Sequence, residues 1–227
     1  METELKLAFD SEEELCASVE QPWFLDSVEI ESEKTEEYEN RYVDTADMLM
    51  QASRTSLRVR HVLGQQYIHT VKTSPVTIKG AGSASLEHQG LTSRCEWNIP
   101  SDSPVFDISW FLDKASSMKD DPYEILVSAL IPARDRELIT VCSTAFRRTT
   151  ITVRFENAVM EVCLDIGKCM AGDRFLPICE MEIELISGEW SAVSDLGSII
   201  CEHCRCHPGI LSKYARCMKL LNEAEHE

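Results

Sequence analysis

Apolar and polar residues alternate with period two over most of this 227-residue chain, and the period turns helical in a few defined places. Residues 1–9, METELKLAF, set Thr3, Leu5 and Leu7 against Glu2, Glu4 and Lys6, which is the pattern of a two-faced strand. Ser11-x-x-Glu14 has the form of a capping box and predicts a short helix through about Val19. Val28, Ile30, Tyr38 and Tyr42 predict strand segments over residues 28–43 around a charged middle. Thr45 as an N-cap predicts a short helix over TADMLMQAS. SLRVRHVL and QQYIHTVKTS read as two strands joined at Gly64, a Gly- and Ser-rich loop follows from Lys79 to Ser85, and LTSRCEWNI is the next strand.

Residues 104–131 change character, because FDISWFLDKASS and PYEILVSALI carry helical spacing. Strands resume with LITVCSTAFRRTTITVRF, AVMEVCLDIGKC and PICEMEIELIS. Residues 191–206 and LSKYARCMKLL read as helices on either side of a His-Pro-Gly break. No repeat or low-complexity linker divides the chain. The expected fold class is therefore α+β, one domain over residues 1–222 with about eight largely antiparallel strands and a short tail at 223–227.

Charge narrows the choice of ligand. Thirty-nine acidic against 22 basic residues give a net charge of −17, a surface that repels nucleic acid and anionic membrane. An anionic ligand must then find a local cluster of Lys and Arg. No apolar run approaches the roughly 18 residues of a membrane helix, and no secretory leader pattern opens the chain, so a cytoplasmic protein is expected. Ten cysteines are scattered mostly within apolar runs and read as small core residues. The densest group, CEHCRCH from Cys201 to His207, has one C-x-x-C step but no second at zinc-site spacing. It lies where Val193, Leu196, Ile199, Ile200 and Cys204 recur at helical spacing, so an apolar helix face is expected there ahead of a metal site.

The charged positions repeat the pattern of the first strand. Arg58 and Arg60 are two apart, as are Arg94 and Glu96, and Glu180, Glu182 and Glu184 form a series. Lys72 and Arg148 sit in further strands, and Glu161 and Asp165 share a parity. Any one such stripe is ordinarily the wet face of a sheet. Together they are almost purely Glu, Arg and Lys, with acids at both ends of the sequence and bases in the middle. That segregation suits a lumen holding a polyanion and a metal at once: carboxylates take Mg²⁺ or Mn²⁺, while guanidinium and ammonium groups take phosphate oxygens. A sheet closed into a barrel can carry such an interior while helices cover its outer face.

These segments resemble a known family. Glu2-x-Glu4-x-Lys6 resembles the ExExK signature of the CYTH superfamily, the triphosphate tunnel metalloenzymes. RYVDTADMLMQASRTSLRVR, HTVKTS, SRCEWNI, FRRTT, EVCLDIG, PICEMEIELISGE and LSKYARCMKL follow in the family's order, and the chain looks most like the bacterial inorganic triphosphatase branch. The resemblance implies an eight-stranded antiparallel β-barrel, a tunnel with flanking helices, that hydrolyses inorganic triphosphate to pyrophosphate and phosphate with Mg²⁺ or Mn²⁺. It implies that Arg58, Arg60, Lys72, Arg94, Arg148 and Lys213 grip phosphate oxygens. Glu2 and Glu4, with Glu180 and Glu182 and assisted by Glu184, would hold one or two divalent ions, and Asp165 would stand near them. Lys6 would balance the carboxylates or touch a terminal phosphate, and Glu96 would pair with a base or help place water, so that Glu2, Glu4, Lys6, Glu96 and Asp165 form the reacting group. Thiamine triphosphate, a nucleoside triphosphate as in class IV adenylyl cyclase, or non-catalytic polyphosphate or nucleotide binding are the alternatives. Lys168, where the branch more often has an acid, and Cys217, in place of a usual glycine, depart from the pattern.

Overall fold

A computed structural model describes residues 2–73, 91–118 and 123–225, and among these the side chains of residues 2, 3, 91–94, 224 and 225 are not described. The loop expected at Lys79 to Ser85 lies outside the described residues. The strands are β1 (Glu2–Phe9), β2 (Glu29–Asp44), β3 (Ser56–Val62), β4 (Tyr67–Lys72), β5 (Leu91–Arg94), β6 (Glu96–Ser101), β7 (Ile139–Phe155), β8 (Ala158–Ala171), β9 (Arg174–Ser187) and β10 (Cys206–Pro208). The helices are α1 (Glu12–Ser18), α2 (Pro22–Ser27), α3 (Leu49–Ala52), α4 (Ile108–Ala115), α5 (Tyr123–Leu130), α6 (Ser191–His203) and α7 (Lys213–Glu225). This is the expected α+β architecture, an antiparallel sheet with flanking helices.

The strands join in the order β10-β1-β9-β8-β7-β2-β3-β4-β6, and β5 pairs back to β1. LTSRCEWNI, expected as one strand, is two segments interrupted at Cys95, and they serve opposite ends of the sheet. β5 sets Arg94 against Glu2 of β1, whereas β6 sets Glu96 against Lys72 of β4. That bend carries the sheet round into a tunnel. The two-residue connection Gly172–Asp173 between β8 and β9 needs the left-handed backbone that Gly172 adopts at φ +57°.

Strand parity divides the apolar residues among three cores. Outward residues of β1, β7, β8 and β9, among them Leu7, Val153, Met160 and Ile183, pack with Leu15 of α1, Phe24 of α2 and Leu196 and Ile200 of α6. Outward residues of β3, β4 and β6, with Trp97 at their centre, pack with Phe111 and Leu126 of α4 and α5. Phe106 and Trp110 flank His69 in that region, and its Nε2 lies 2.9 Å from the Ser103 carbonyl, so this histidine is structural. The third core lies on the inward face: Cys142, Phe146, Cys169 and Ile178 meet Cys217, Met218 and Leu220 of α7. Helix α7 thus plugs one end of the tunnel, and Cys217 fills a position within that plug. Among the described residues no helix is long and apolar enough to cross a membrane.

Local expectations hold where short-range chemistry decides them. Ser11 Oγ accepts the Glu14 backbone N–H at 3.1 Å and opens α1 as its spacing implies. Thr45 is less than a full cap: its Oγ accepts the Leu49 N–H at 3.0 Å, but the buried Asp44 carboxylate takes the Met50 and Gln51 N–H groups at 2.9 Å each. Helix α6 stops at His203 instead of running to residue 206, because Cys206–Pro208 is drawn into pairing with the edge of β1 at Leu7–Phe9.

Gly167 marks a close approach inside the sheet. A Cβ there would sit on the Ala145 carbonyl oxygen and 2.5 Å from Phe146 Cα, contacts that only strand movement can relieve. Gly167→Ala is expected to destabilise the chain by about 1–3 kcal/mol, the cost of overpacking a tight site. Urea unfolding of the two proteins checks it, and equal midpoints would contradict the close approach.

Candidate active site

The inward face that α7 leaves uncovered encloses a cavity of about 330 Å³. Among the described residues five carboxylates line it (Glu4, Glu96, Glu161, Glu182 and Glu184), against seven cations (Lys6, Lys34, Arg58, Arg60, Lys72, Arg148 and Lys213). The described lining thus carries two more positive than negative groups, in a chain of net charge −17. Anions are selected locally, against the field of the whole surface.

Antiparallel register arranges the acids in rows. The pairing of β1 with β9 brings the two ends of the sequence together, Glu4 opposite Glu184 and Lys6 opposite Glu182. The pairing of β8 with β9 adds Glu161 opposite Glu184 and Asp165 opposite Glu180. Glu4, Glu184 and Glu161 so form one row across three neighbouring strands, all lining the cavity. Glu2 is the register partner of Arg94, but both side chains lie outside the described residues.

Glu180, Glu182 and Asp165 are engaged differently. Their ligand atoms lie within 4.8 Å of one another, close enough to surround an ion, and all three residues are buried. Lys213 Nζ already occupies that position, 2.5 Å from Asp165, 2.5 Å from Glu180 and 2.9 Å from Glu182. Arg148 donates to both oxygens of Asp165, at 2.6 and 2.5 Å, and also to Glu182. Arg216 reaches Glu180 at 3.2 Å, and Lys6 reaches Glu182 at 3.0 Å and Glu4 at 3.6 Å. Three carboxylates face four cations here, so a divalent ion in the triad requires the Lys213 ammonium to leave. Glu4, Glu161 and Glu184 bring three further carboxylates to the cavity, with the Lys6 ammonium 3.6 Å from Glu4.

The buried charges tune one another. Burial alone would raise the Glu182 pKa, yet Lys213, Lys6 and Arg148 together hold it well below its ordinary value. Asp165 behaves likewise under Arg148 and Lys213. Burial opposes the charge of Lys6, but Glu182, Glu4 and Glu180 prevail and raise its pKa. Lys213 is raised further, against burial, by Asp165, Glu180 and Glu182.

The opposite wall is built on β3, β4 and β6. Lys72 meets Glu96 at 2.6 Å and Arg58 approaches the same carboxylate at 3.5 Å, while Arg58 also donates to Thr70 at 3.0 Å. Glu96 is thus shared between two bases. Arg60 differs. It donates to the Asn40 side-chain oxygen at 3.1 Å and lies 4.7 Å from the centre of the Tyr38 ring, and no carboxylate pairs with it among the described residues. Burial, then the neighbouring Arg58 and Arg148, push its pKa down to about 10, so an incoming anion would relieve the strain on this cation.

Several lining residues extend beyond the site residues that the resemblance implies. Glu161 shares the parity of Asp165, Thr70 lies two residues from Lys72 and Asn98 two from Glu96, so strand parity was a usable signal for each. Tyr38, Tyr42 and Tyr214 also line the cavity, and no sequence spacing connects the first two with a helix so far along the chain.

Comparison with known proteins identifies the family and the fold. The CYTH domain model matches residues 1–217. The inorganic triphosphatase of Haemophilus influenzae is 30% identical over 192 residues, which cover 82% of this chain but only 46% of that protein. The chain thus spans about half the length of that relative. Among solved structures, HpAC1 from Hippeastrum, an adenylyl cyclase candidate with a dominant triphosphatase activity, superposes at a TM-score of 0.60 with 18% identity, covering 96% of each chain. The PH1819 protein of Pyrococcus horikoshii OT3 superposes at 0.53 with 14% identity, covering 97% of this chain and 99% of that one. These two show the fold. With a family model spanning nearly the whole sequence and a tunnel of rowed charges within it, the chain belongs to the CYTH domain family.

Proposed function

We propose that the tunnel binds inorganic triphosphate together with Mg²⁺ or Mn²⁺ and hydrolyses it to pyrophosphate and phosphate in the cytoplasm. The observation that carries this reading is the juxtaposition, in one cavity, of an acidic row (Glu4, Glu161, Glu184) and a basic wall that includes Arg60. Similarity to an inorganic triphosphatase supports the substrate class. A divalent ion that draws the carboxylates of the row together would neutralise phosphate charge as a Lewis acid. The chain's own groups do the rest. Arg58, Arg60 and Lys72, with Arg94 on the neighbouring segment, hold and orient the phosphate oxygens, and Glu96 is displaced from Lys72 and Arg58 as they turn to the substrate. Lys6 stands between Glu4 and Glu182 and helps keep Glu182 ionised. Arg148 and Lys213 set the buried floor of the site, and Lys213 reaches phosphate only by leaving its carboxylates. Phosphoryl transfer asks mainly for such positioning and charge neutralisation, and it needs no nucleophilic side chain.

Glu4→Gln and Arg60→Ala are each expected to lower triphosphate turnover by about tenfold to a hundredfold or more while leaving the thermal transition in place, the scale of losing a metal ligand or a charged phosphate contact. Phosphate release from triphosphate, ATP, thiamine triphosphate and long-chain polyphosphate, with each metal, reads the effect. Parent-like rates in both variants would sink the site assignment. Tight triphosphate binding without release under either metal would convert the protein into a binding module.

The pH response of the free protein follows from the buried network. Glu182 and Asp165 titrate below their ordinary values, so their contribution to stability is complete above that range and lost as pH falls through the depressed values. Lys6 and Lys213 titrate above 10.5, so theirs is complete below that value and lost as pH rises through the raised ones. A Tm that stays level between these limits is expected in calorimetry across pH. A fall centred near neutrality would contradict the network.

A further inference from the structure

The segment CEHCRCH takes no part in the proposed reaction, yet it brings two thiols together. Cys201 lies in the last turn of α6 and is exposed, and Cys206 begins β10 and is half-buried. Their sulfurs are 3.4 Å apart and both are free. A disulfide bond is about 2.05 Å long, so closure asks for a movement of little more than an ångström across a turn with no regular secondary structure. We propose that Cys201 and Cys206 form a reversible disulfide by exchange with a low-molecular-weight disulfide, and that this bond clamps β10 against β1.

A metal ion fits the pair less well. Among the described residues the one group of three or more metal-ligating side chains is Asp165, Glu180 and Glu182, so no third ligand stands beside the two sulfurs. His203 is stacked on Trp23 with ring centres 4.6 Å apart, and its Nδ1 lies 2.9 Å from the Ile199 carbonyl. The exchange balances without any other reactant. The exposed Cys201 sulfur, as thiolate, attacks one sulfur of the external disulfide and expels one small thiol. The Cys206 sulfur, losing its proton as it bonds, then attacks Cys201 Sγ and expels the second. The protein loses two hydrogens and the small disulfide gains them. Burial raises the Cys206 pKa and keeps it a thiol until its partner is activated, so Cys201 is the entry point.

The position of the pair gives the bond a consequence. β5 covers the edge of β1 along Glu2–Leu5, and β10 covers the same edge along Leu7–Phe9, with Cys206 opposite Phe9. Just beyond β10, the Gly209 N–H donates to the Lys6 carbonyl at 2.8 Å. Gly209 packs so tightly on Lys6 that an added Cβ would lie 2.7 Å from Lys6 Cγ. The strap from Cys206 to Gly209 thus ends on a residue whose side chain lines the tunnel, and the disulfide fastens the other end of that strap to α6.

The folded chain incubated with glutathione disulfide, alkylated and digested with trypsin tests this. Cleavage after Arg205 separates the two cysteines into different peptides, so a disulfide alone joins them. The expected result is the joined peptides, two fewer alkylated thiols and reversal by dithiothreitol. Cys201→Ser should abolish the link and Cys204→Ser should keep it. Hydrogen exchange at residues 206–209 should be slower in the oxidised chain. Retention of every thiol, a lasting glutathione adduct on Cys201, loss of the link in Cys204→Ser, or unchanged exchange at the strap would each overturn the proposal.

Discussion

The ammonium of Lys213 among Asp165, Glu180 and Glu182 is the interaction on which the tunnel depends. Three carboxylates buried from water cannot stay ionised alone, because desolvation costs several kcal/mol for each. Lys213, Arg148, Arg216 and Lys6 supply the missing charge, and they come from α7, β7 and β1. One electrostatic requirement therefore ties the plug helix to β8 and β9 and joins β1 to them. Removing any partner would leave a buried charge uncompensated, which is why the assembly stands as a unit.

The same requirement separates two kinds of acid that look alike in the sequence. Glu180, Glu182 and Glu184 form one stripe with one periodicity. In the fold Lys213 sits among the first two and Asp165, whereas Glu184 lies in a cross-strand row with Glu4 and Glu161 along the cavity. A parallel distinction holds on the basic wall, where Lys72 and Arg58 share Glu96 and Arg60 rests on Asn40 and Tyr38.

The tunnel also rests on what lies outside it. β1 is short, and its two edges are covered by β9 on one side and by β5 and β10 in succession on the other. Leu5 and Leu7 point into the outer core with α1, α2 and α6, so that Lys6 and Glu4 must point inward. The outer packing thus aims the inner charges, and the strap of β10 extends that control to the backbone of Lys6.

The sequence by itself determined the strands and the inward parity of Glu4, Lys6, Arg58, Arg60, Lys72 and Glu182, because side-chain alternation is a local property of an extended chain. It determined the helices at α1, α4 and α5 for the same reason, since caps and helical spacing act over a few residues. Only the tertiary structure decided that LTSRCEWNI breaks at Cys95 to serve both ends of the sheet, and that Cys206–Pro208 leaves a helical pattern to pair with β1. Only the tertiary structure decided that Lys213 fills the acidic triad, a contact across 31 to 48 residues that no spacing encodes. Alternation tells each residue which way to face, whereas register and helix docking tell it what it will meet there, and both are set by cooperative packing of distant segments.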